Sequence, residues 1–185
     1  MGVSMVPELE TPRLLLRPLS YDDAPQIQER IPDWRIAQFL TIPWPYPKDG
    51  AETFLREKVM PEMRAGVGWH WSLRLKAQPS DLVGMINLKT AADENRGFWI
   101  VPELWGQGLM TEACEAVTEF WFEVLGEQLM RVPKAVENVA SRRISEREGM
   151  RVVWRGEKDF AAGRRPAEVW EITRDEWRER RGFSG

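Results

Sequence analysis

The sequence is poor in the side chains that most often build metal centres, disulfides and reactive thiols. Among 185 residues it holds one cysteine and one histidine. An internal disulfide is therefore excluded, and no His/Cys metal cluster of familiar spacing can form. The single thiol, Cys114, falls on the apolar face of a predicted helix, where a core position is far commoner than a nucleophile. We expect neither a metal cofactor nor thiol chemistry.

Long apolar runs and a concentrated basic surface are also missing. No stretch of 18 apolar residues and no signal peptide is present, which predicts a cytoplasmic protein without a membrane partner. The formal net charge is −3, and the basic residues are spread along the chain. Proteins that bind nucleic acid gather such residues on one face, so we expect no nucleic-acid partner.

The remaining composition is that of one folded domain. Hydrophobic residues make up 43% and charged residues 30%, a balance typical of globular rather than disordered chains. A chain of this length can bury a sizeable core. Without a repeat or a linker, the sequence predicts a single domain over residues 1–185, with its core at about 9–173 and a charged tail at 174–185.

The spacing of apolar residues and turn residues predicts a mixed α/β architecture. Its element order is β-α-α-β-β-β-α-β-α-β-β. The predicted strands are 13–17, 69–75, 82–88, 98–101, 131–136, 151–158 and 168–173, the predicted helices are 22–30, 48–64, 110–125 and 142–148, and a loop is predicted at 162–166.

The most informative segment runs from Ile100 to Ala113 and combines a strand, a glycine turn and a helix. Phe98 to Val101 is a short apolar run typical of a buried strand, and Pro102 ends it. Gly106 and Gly108 permit a sharp turn and a close approach of a ligand to the backbone. A helix start offers unpaired N–H groups and about half a positive charge, so the segment indicates a phosphate site.

Two familiar nucleotide motifs do not fit this segment. The dinucleotide fingerprint needs a third glycine where Thr111 stands, and an acidic residue after a second strand. A nucleoside-triphosphate loop needs Gly-Lys-Ser/Thr, which the chain lacks. The segment is therefore a phosphate loop, and the second half of its motif differs from that of either nucleotide motif.

That second half follows about thirty residues downstream. Arg131 to Val136 is a short predicted strand, and Pro133 within it favours an edge or splayed position. Asn138 and Ser141 precede a charged helix that Gly149 ends. Either residue can cap this helix. One interpretation is therefore that both residues are structural and contact no ligand.

Together the two segments resemble the GCN5-related N-acetyltransferase (GNAT) superfamily, and most of all its branch that modifies the N termini of ribosomal proteins. The resemblance spans about residues 9–172. It is carried by Glu10 to Pro18 in an opening strand, and by Pro102, Trp105-Gly106-Gln107-Gly108, Thr111-Glu112-Ala113, Asn138, Ser141 and Gly149-Met150.

The resemblance implies a fold in which two central strands splay apart into a V-shaped acetyl-CoA cleft. It implies direct transfer of an acetyl group from acetyl-CoA to a primary amine in a ternary complex, the amine being a protein N terminus or a small molecule. Backbone N–H groups of Ile100 and Val101 would stabilise the oxyanion. The implied cofactor-binding residues are Ile100, Val101, Trp105, Gly106, Gln107, Gly108, Leu109, Met110, Thr111, Asn138 and Ser141.

The chain departs from the family pattern at the group that protonates the leaving thiolate. Many members carry a tyrosine four residues after the serine, where this chain has Ser145. The acid is then Ser141, Ser145 or water. Met110 also replaces a small residue beside the pyrophosphate. These departures leave two alternatives open: a non-catalytic acyl-CoA-binding module, or an acyltransferase that uses a different acyl-CoA.

Several residues are candidates for the general base. His70 is the one imidazole and titrates near neutrality when unperturbed. Asp93, Glu94 and Glu103 flank the predicted cofactor strand, where a solvated loop position is the ordinary role of a carboxylate. A chain of water molecules ending at backbone carbonyls is equally compatible with the sequence.

The acceptor site is predicted at an aromatic, proline-rich segment. Trp44 and Tyr46 alternate with prolines over Ile42 to Pro47, and Trp34 lies shortly before them. Exposed aromatic residues on a stiff loop indicate either a wall of the amine-binding cleft or a contact between two copies of the chain. A homodimer is therefore the competing prediction.

Overall fold

The computed structural model describes residues 6–182. The first five residues of the predicted domain and the last three of its charged tail lie outside the described residues. The strands are β1 Leu9–Glu10, β2 Leu14–Pro18, β3 Gly68–Leu75, β4 Gly84–Lys89, β5 Arg96–Ile100, β6 Leu129–Ala135, β7 Arg151–Phe160 and β8 Gly163–Thr173. The helices are α1 Ala24–Arg30, α2 Trp34–Ala37, α3 Gly50–Phe54, α4 Met60–Ala65, α5 Leu109–Glu119, α6 Val139–Glu148 and α7 Arg174–Arg180.

The described strands form two antiparallel sheets, so the mixed α/β class is as predicted. One sheet has the order β1-β2-β3-β4-β5 and the other the order β6-β8-β7. A wider π-helical turn at Leu55–Val59 joins α3 to α4, and a second one at Phe120–Val124 extends α5. The two predicted long helices are therefore each continuous, with a local change of winding.

The two sheets meet at Asn95. Its N–H donates to the Arg131 carbonyl and its Oδ1 accepts from the Arg131 N–H, both at 2.8 Å. Its Nδ2 donates to the carbonyls of Lys89 and Ala91 at 3.0 Å. Beyond this junction β5 and β6 share no ladder among the described residues. The strands therefore open into the predicted V, and Pro133 lies on an edge strand.

Aromatic side chains hold the core together behind the sheets. Trp71, Trp121 and Phe122 are fully buried. Phe120 meets Trp71 edge to face with ring centroids 5.6 Å apart, a geometry that the ring quadrupoles favour. The apolar face of α5 packs here, and Cys114 is buried in it as predicted. This packing fixes the start of α5 relative to β5.

Two local features differ from the prediction. Most of the predicted loop 162–166 is strand, because β7 and β8 turn tightly at Ala161 and Ala162 and β8 begins at Gly163, whose φ is +94°. Helix α2 is missing from the prediction; Asp33 begins it by accepting from the Arg35 N–H at 2.9 Å. Of the two residues predicted as possible caps of α6, the structure confirms Asn138, whose Oδ1 accepts from the Ser141 N–H at 3.3 Å.

Within residues 6–182 no helix has both the length and the apolar character that a membrane crossing requires. In the same part of the chain, no group of three or more His, Cys, Asp and Glu side chains could hold a metal ion.

Candidate active site

A cleft of about 1100 Å³ lies between the diverging strands. Its walls come from β5 and β6, from the starts of α5 and α6, and from the segment between α2 and α3. Pockets for small ligands typically occupy roughly 300–1000 Å³, so this cleft has room for a ligand at the upper end of that range or beyond. The predicted site residues can be placed against these walls one by one.

The glycine turn before α5 forms a cradle of backbone N–H groups. Gly106 and Gly108 adopt φ angles of +76° and +77°, which a glycine accepts without strain. The first donor inside the helix is the Glu112 N–H, which bonds to the Gly108 carbonyl at 3.1 Å. The N–H groups of the three preceding residues therefore have no acceptor in the helix. A Cβ built on Gly106 meets nothing within 4 Å, so the space above the loop is open to an anion.

Arg13, directly before β2, anchors this cradle. Its guanidinium pairs with Glu112 in the first turn of α5 and donates to the Gln107 carbonyl at 2.8 Å. Thr11 Oγ1 donates to the same carboxylate at 2.7 Å. Burial raises the pKa of Glu112, but the hydrogen bonds from Thr11 and Arg13 outweigh it and hold that pKa below its usual value. Arg13 thus offsets the negative charge of Glu112 beside the cradle.

One of the two predicted oxyanion donors, the Val101 N–H, is wrong. The Val101 N–H donates to the Val83 carbonyl at 2.8 Å, and Val101 does not line the cleft. Hydrogen-bonded and non-bonded positions alternate along an antiparallel pair. Because Val101 faces β4, the N–H groups of Ile100 and Phe98 face the cleft. The Ile100 carbonyl is taken by Trp105 Nε1 at 2.8 Å.

Asn138 and Ser141 line the opposite wall at the start of α6. Asn138 uses its Oδ1 to cap the helix, and no described residue accepts from its Nδ2. Ser141 is 8% exposed. Asn138 therefore combines the capping role with a position on the cleft wall, and Ser141 lies beside it on the same wall.

Sequence reasoning missed Lys134, which lies in the same wall. It is 5% exposed and occupies the inward face of β6 together with Met130 and Val132. Its Nζ donates to Ser141 Oγ at 2.6 Å and stands 5.2 Å from the centre of the Phe98 ring. Burial, together with the nearby charge of Arg96, lowers the pKa of Lys134 to about 7. The signal in the sequence is a lysine at an inward position of an alternating strand.

An ion pair closes the floor of the cleft below Lys134. Arg96 donates to both carboxylate oxygens of Glu148, at 2.8 and 3.0 Å, and to Thr118 Oγ1 at 2.7 Å. This bidentate geometry is the strong form of an arginine–carboxylate contact. Burial raises the pKa of Cys114 nearby to about 12, which keeps that thiol neutral.

His70 reaches the cleft from β3 and is held by a carboxylate that sequence reasoning also missed. Its Nε2 lies 2.7 Å from Glu62 Oε2, and the ring is 2% exposed. Phe54 packs edge-on against the imidazole, with ring centroids 6.3 Å apart. Burial raises the pKa of Glu62, but the hydrogen bond and charge of His70, with Lys58 and Lys89, bring it below its usual value. The pair is therefore a carboxylate-oriented imidazole.

A row of residues connects this pair to the splayed strand. His70 lies opposite Asn87 on β4, which in turn lies opposite Gly97 on β5. All three line the cleft. A Cβ on Gly97 would stand 2.9 Å from Asn87 Oδ1, so the glycine leaves room for this amide. Neighbouring strands are about 4.8 Å apart, which puts His70 roughly two strand spacings from β5.

Six of the predicted site residues do not line the cleft. Ser145 is fully buried, with no partner for its hydroxyl among the described residues, and a serine is too short to replace the family's tyrosine. The Glu103 carboxylate is exposed and faces Arg35 at 3.7 Å. The six are Ser145, Glu103, Val101, Gln107, Trp34 and Trp44.

The predicted acceptor residues separate into two groups. Trp34 and Trp44 pack on each other with centroids 4.9 Å apart, and they remain 43% and 39% exposed outside the cleft wall. Tyr46 does line the cleft, and burial raises its pKa to about 12. A Cβ on Gly50 would approach this ring to 2.6 Å, so the glycine fixes where Tyr46 can sit.

The splayed sheets and the glycine cradle at the start of α5 define an acyl-CoA-type transferase cleft, and comparison with known families agrees. The family model described as an acetyltransferase (GNAT) domain matches residues 13–151. The chain belongs to this family, which confirms the predicted class of enzyme, an acetyltransferase.

Three relatives illustrate the likeness. YdaF of Bacillus subtilis, named as a ribosomal N-acetyltransferase, is 38% identical over 72 residues, which span 37% of this chain and 39% of YdaF. The uncharacterized N-acetyltransferase YoaA of the same organism is 26% identical over 76% of this chain and 80% of its own. Mycobacterium smegmatis RimJ, solved in complex with CoA-disulfide, superposes with a TM-score of 0.75 at 17% identity, covering 92% of this chain and 88% of RimJ. At that identity the structural likeness supports the fold alone.

We expect replacement of Arg13 by methionine to weaken acetyl-CoA binding about tenfold, or about 1.4 kcal/mol. The change removes the cation that pairs with the Glu112 carboxylate beside the predicted phosphate site, and it frees the loop at Gln107. Calorimetric titration measures the effect. Arg17→Met is the matched control, because Arg17 is an arginine of the nearby β2 that contacts only Glu8, at 3.8 Å, and the Pro79 carbonyl, at 3.5 Å. Equal affinities of the two variants would contradict a role for Arg13 in the cradle.

Proposed function

We propose that the protein transfers an acetyl group from acetyl-CoA to a primary amine by direct attack in a ternary complex. One observation carries the proposal: the glycine cradle, the cleft-facing edge of β5 and His70, whose ring Glu62 orients, all line a single cavity. Binding and proton-abstracting groups are thus on one surface, as acyl transfer to an amine requires.

The cofactor half of the cleft suits an acyl-CoA. The N–H groups of Leu109, Met110 and Thr111 bind the pyrophosphate at the positive end of α5. The unpaired edge of β5 holds the pantetheine arm as an added strand would be held. Arg143 and Arg147 are exposed on the cleft wall, with no ion-pair partner among the described residues, and add positive charge there. Acetyl-CoA supplies the activated acetyl group as its thioester.

His70 acts as the general base in this proposal. An aliphatic amine has a pKa of about 10, so it must lose a proton before or during attack. Glu62 fixes one imidazole nitrogen and stabilises the imidazolium that forms. The N–H groups of Ile100 and Phe98 stabilise the negative charge on the attacked carbonyl. Ser141 protonates the departing sulfur, because it is the hydroxyl that the structure brings to this wall.

The proposed acceptor is a protein N terminus. YdaF is named as a ribosomal N-acetyltransferase, and the fold is shared with RimJ. An N terminus presents a primary amine on an extended chain, which fits an open cleft walled by Tyr46 and Phe54. The proposed location, the cytoplasm, and the homodimer rest on the sequence alone.

Release of free thiol from acetyl-CoA tests the proposed function. The acceptors are N-terminal peptides, polyamines, amino acids and aminoglycosides, and propionyl-CoA and succinyl-CoA are tested as alternative donors. We expect thiol release with acetyl-CoA and at least one N-terminal peptide, and an acetylated peptide by mass spectrometry. Acetyl-CoA binding without thiol release from any acceptor would favour the non-catalytic alternative.

We expect Tyr46→Ala to raise the KM for the acceptor about tenfold and to change the KM for acetyl-CoA less than about twofold, a cost typical of losing one aromatic contact. Tyr46 lines the acceptor side of the cleft, far along the chain from the phosphate cradle. Steady-state kinetics with both substrates varied measure the two constants.

Trp44→Ala is the matched control for Tyr46, because Trp44 is an aromatic residue of the same segment that does not line the cleft. Its acceptor kinetics should equal those of the wild type. A lower mass in sedimentation would show that Trp44 makes a dimer contact. If Trp44→Ala impairs acceptor use while Tyr46→Ala does not, the proposed acceptor wall is wrong.

A further inference from the structure

Lys134 is a buried amine that the proposed mechanism does not yet use. It lies on the cleft wall with its Nζ 2.6 Å from Ser141 Oγ. Burial of a lysine without a carboxylate partner is costly, and no carboxylate lies within 4.0 Å of this Nζ among the described residues. An apolar side chain at this inward position of β6 would extend the core at no such cost.

We propose that Lys134 supplies, through Ser141, the proton that the departing thiolate takes up. The inference rests on the proposed function, and it assigns Lys134 as a positioning and proton-supplying residue behind the acid. Ser141 is the residue that touches the reacting atoms.

The proton movements balance without any further reactant. The carbon–sulfur bond breaks and its electron pair stays on sulfur. Ser141 gives its hydroxyl proton to the sulfur, and the Lys134 ammonium gives a proton to Ser141 Oγ. Lys134 is then a neutral amine, and it regains a proton from water after the products leave.

The direction of the hydrogen bond fits this order of transfer. Lys134 Nζ donates to Ser141 Oγ, which leaves the serine hydroxyl hydrogen free to point at the sulfur. A protonated amine beside the oxygen also makes the hydroxyl a better acid. The pair is thus arranged as a donor chain that ends at the cleft.

The pKa of Lys134 also fits the proposed proton transfer to the thiolate. The pKa of Lys134 is lowered to about 7, whereas a thiol has a pKa of about 8.5 and an ordinary lysine one of about 10.4. Proton transfer from this ammonium to a thiolate is therefore favourable in free energy, whereas an ordinary lysine would retain its proton. The groups that face Lys134 are Arg96 and the Phe98 ring from β5, Cys114 from α5, and Ser141 and Glu148 from α6.

Turnover as a function of pH tests the inference. We expect Lys134→Met, which keeps an unbranched side chain only one heavy atom shorter, to lower kcat at pH 7 about 10- to 100-fold, in line with loss of general-acid assistance. The KM for acetyl-CoA should change less than about threefold. Wild-type kcat should fall as pH rises above 7, because Lys134 loses its proton there, and this fall should be absent in Lys134→Met.

Two further variants separate the relay from a packing role. Ser141→Ala and the double variant Ser141→Ala/Lys134→Met should have equal turnover, because both residues act in one chain. Lys76→Met is the matched control: Lys76 is exposed, does not line the cleft and pairs with Glu10 at 3.2 Å, and its kcat–pH profile should match the wild type. Full turnover of Lys134→Met with an unchanged profile, or additive losses in the double variant, would overturn the inference.

Stability provides a readout that needs no turnover. A lysine whose folded pKa is about 7 binds fewer protons when folded than when unfolded between pH 7 and about 10.4. Its destabilising contribution is therefore complete below pH 7 and disappears as pH rises through this window. The unfolding free energy of the wild type should rise relative to that of Lys134→Met from pH 7 to 10. A difference that stays constant from pH 6 to 10 would overturn the inference.

Failure of the inference is distinguishable from failure of the proposed function. If the wild type releases thiol and Lys134→Met behaves like it, only the relay is wrong. If the wild type releases no thiol with any acceptor, the proposed function is wrong, and the relay is overturned with it even where the stability data show a lowered lysine pKa.

Discussion

Gly108→Asp is expected to weaken acetyl-CoA binding at least about 100-fold while the protein remains folded. Gly108 begins α5, and the three N–H groups that follow it form the proposed pyrophosphate cradle. A carboxylate there faces a negative ligand at short range, and two like charges 4 Å apart repel by about 4 kcal/mol at an effective dielectric constant of 20. Calorimetric titration with acetyl-CoA measures the affinity, and thermal unfolding measures the fold.

Two control variants separate charge from backbone strain. Gly108→Asn has nearly the same size, and asparagine tolerates a positive φ; we expect it to lose no more than about tenfold in affinity. Gly126→Asp places the same side chain at a φ of +74° with nothing within 4 Å of its Cβ. It should bind acetyl-CoA normally. Unchanged affinity in Gly108→Asp would show that the pyrophosphate lies elsewhere.

His70→Gln is expected to lower kcat about 100- to 1000-fold, the usual range for loss of a general base. Glutamine can keep a hydrogen bond to Glu62 but cannot accept a proton at neutral pH. The affinity for acetyl-CoA should stay close to that of the wild type, because His70 lies on β3, away from the glycine cradle. Rapid-quench measurement of acetylated peptide gives the rate of the chemical step.

Glu62→Gln is expected to have a smaller effect of about 10- to 100-fold, because it removes the charge that orients and stabilises the imidazole. Glu52→Gln is its control: Glu52 is exposed, does not line the cleft and belongs to α3 of the same helical stretch, and its turnover should be normal. Wild-type rates in His70→Gln would leave a water chain as the route for the amine proton.

The cofactor half of the site could be predicted because its signal is local. A strand, two glycines and a helix follow one another within fourteen residues, and the backbone geometry of Gly106 and Gly108 is the one that glycines there predict. Gly149 at the end of α6 behaves in the same way, with a φ of +82°. Short-range rules decide such features, so one sequence is enough.

The catalytic half could not be predicted to the same extent, because it depends on register and on partners distant in sequence. The direction of the Val101 N–H follows from its pairing with Val83, which no local pattern specifies. Glu62 and His70 meet across the turn between α4 and β3. Sequence reasoning missed Lys134 because a single lysine in a short strand belongs to no motif with a recognisable spacing.

The arrangement of the two sheets also bears on how the protein avoids self-association. An unpaired strand edge can recruit another chain, and the described sheets have four such edges: β1, β5, β6 and β7. The edges of β5 and β6 face each other inside the cleft, where a second chain has little access. β1 is only two residues long, and β7 is rich in exposed charge. The cleft that admits a ligand therefore also shields the unpaired edges of β5 and β6 from other chains. This protection against self-association should be strongest when a ligand fills the cleft.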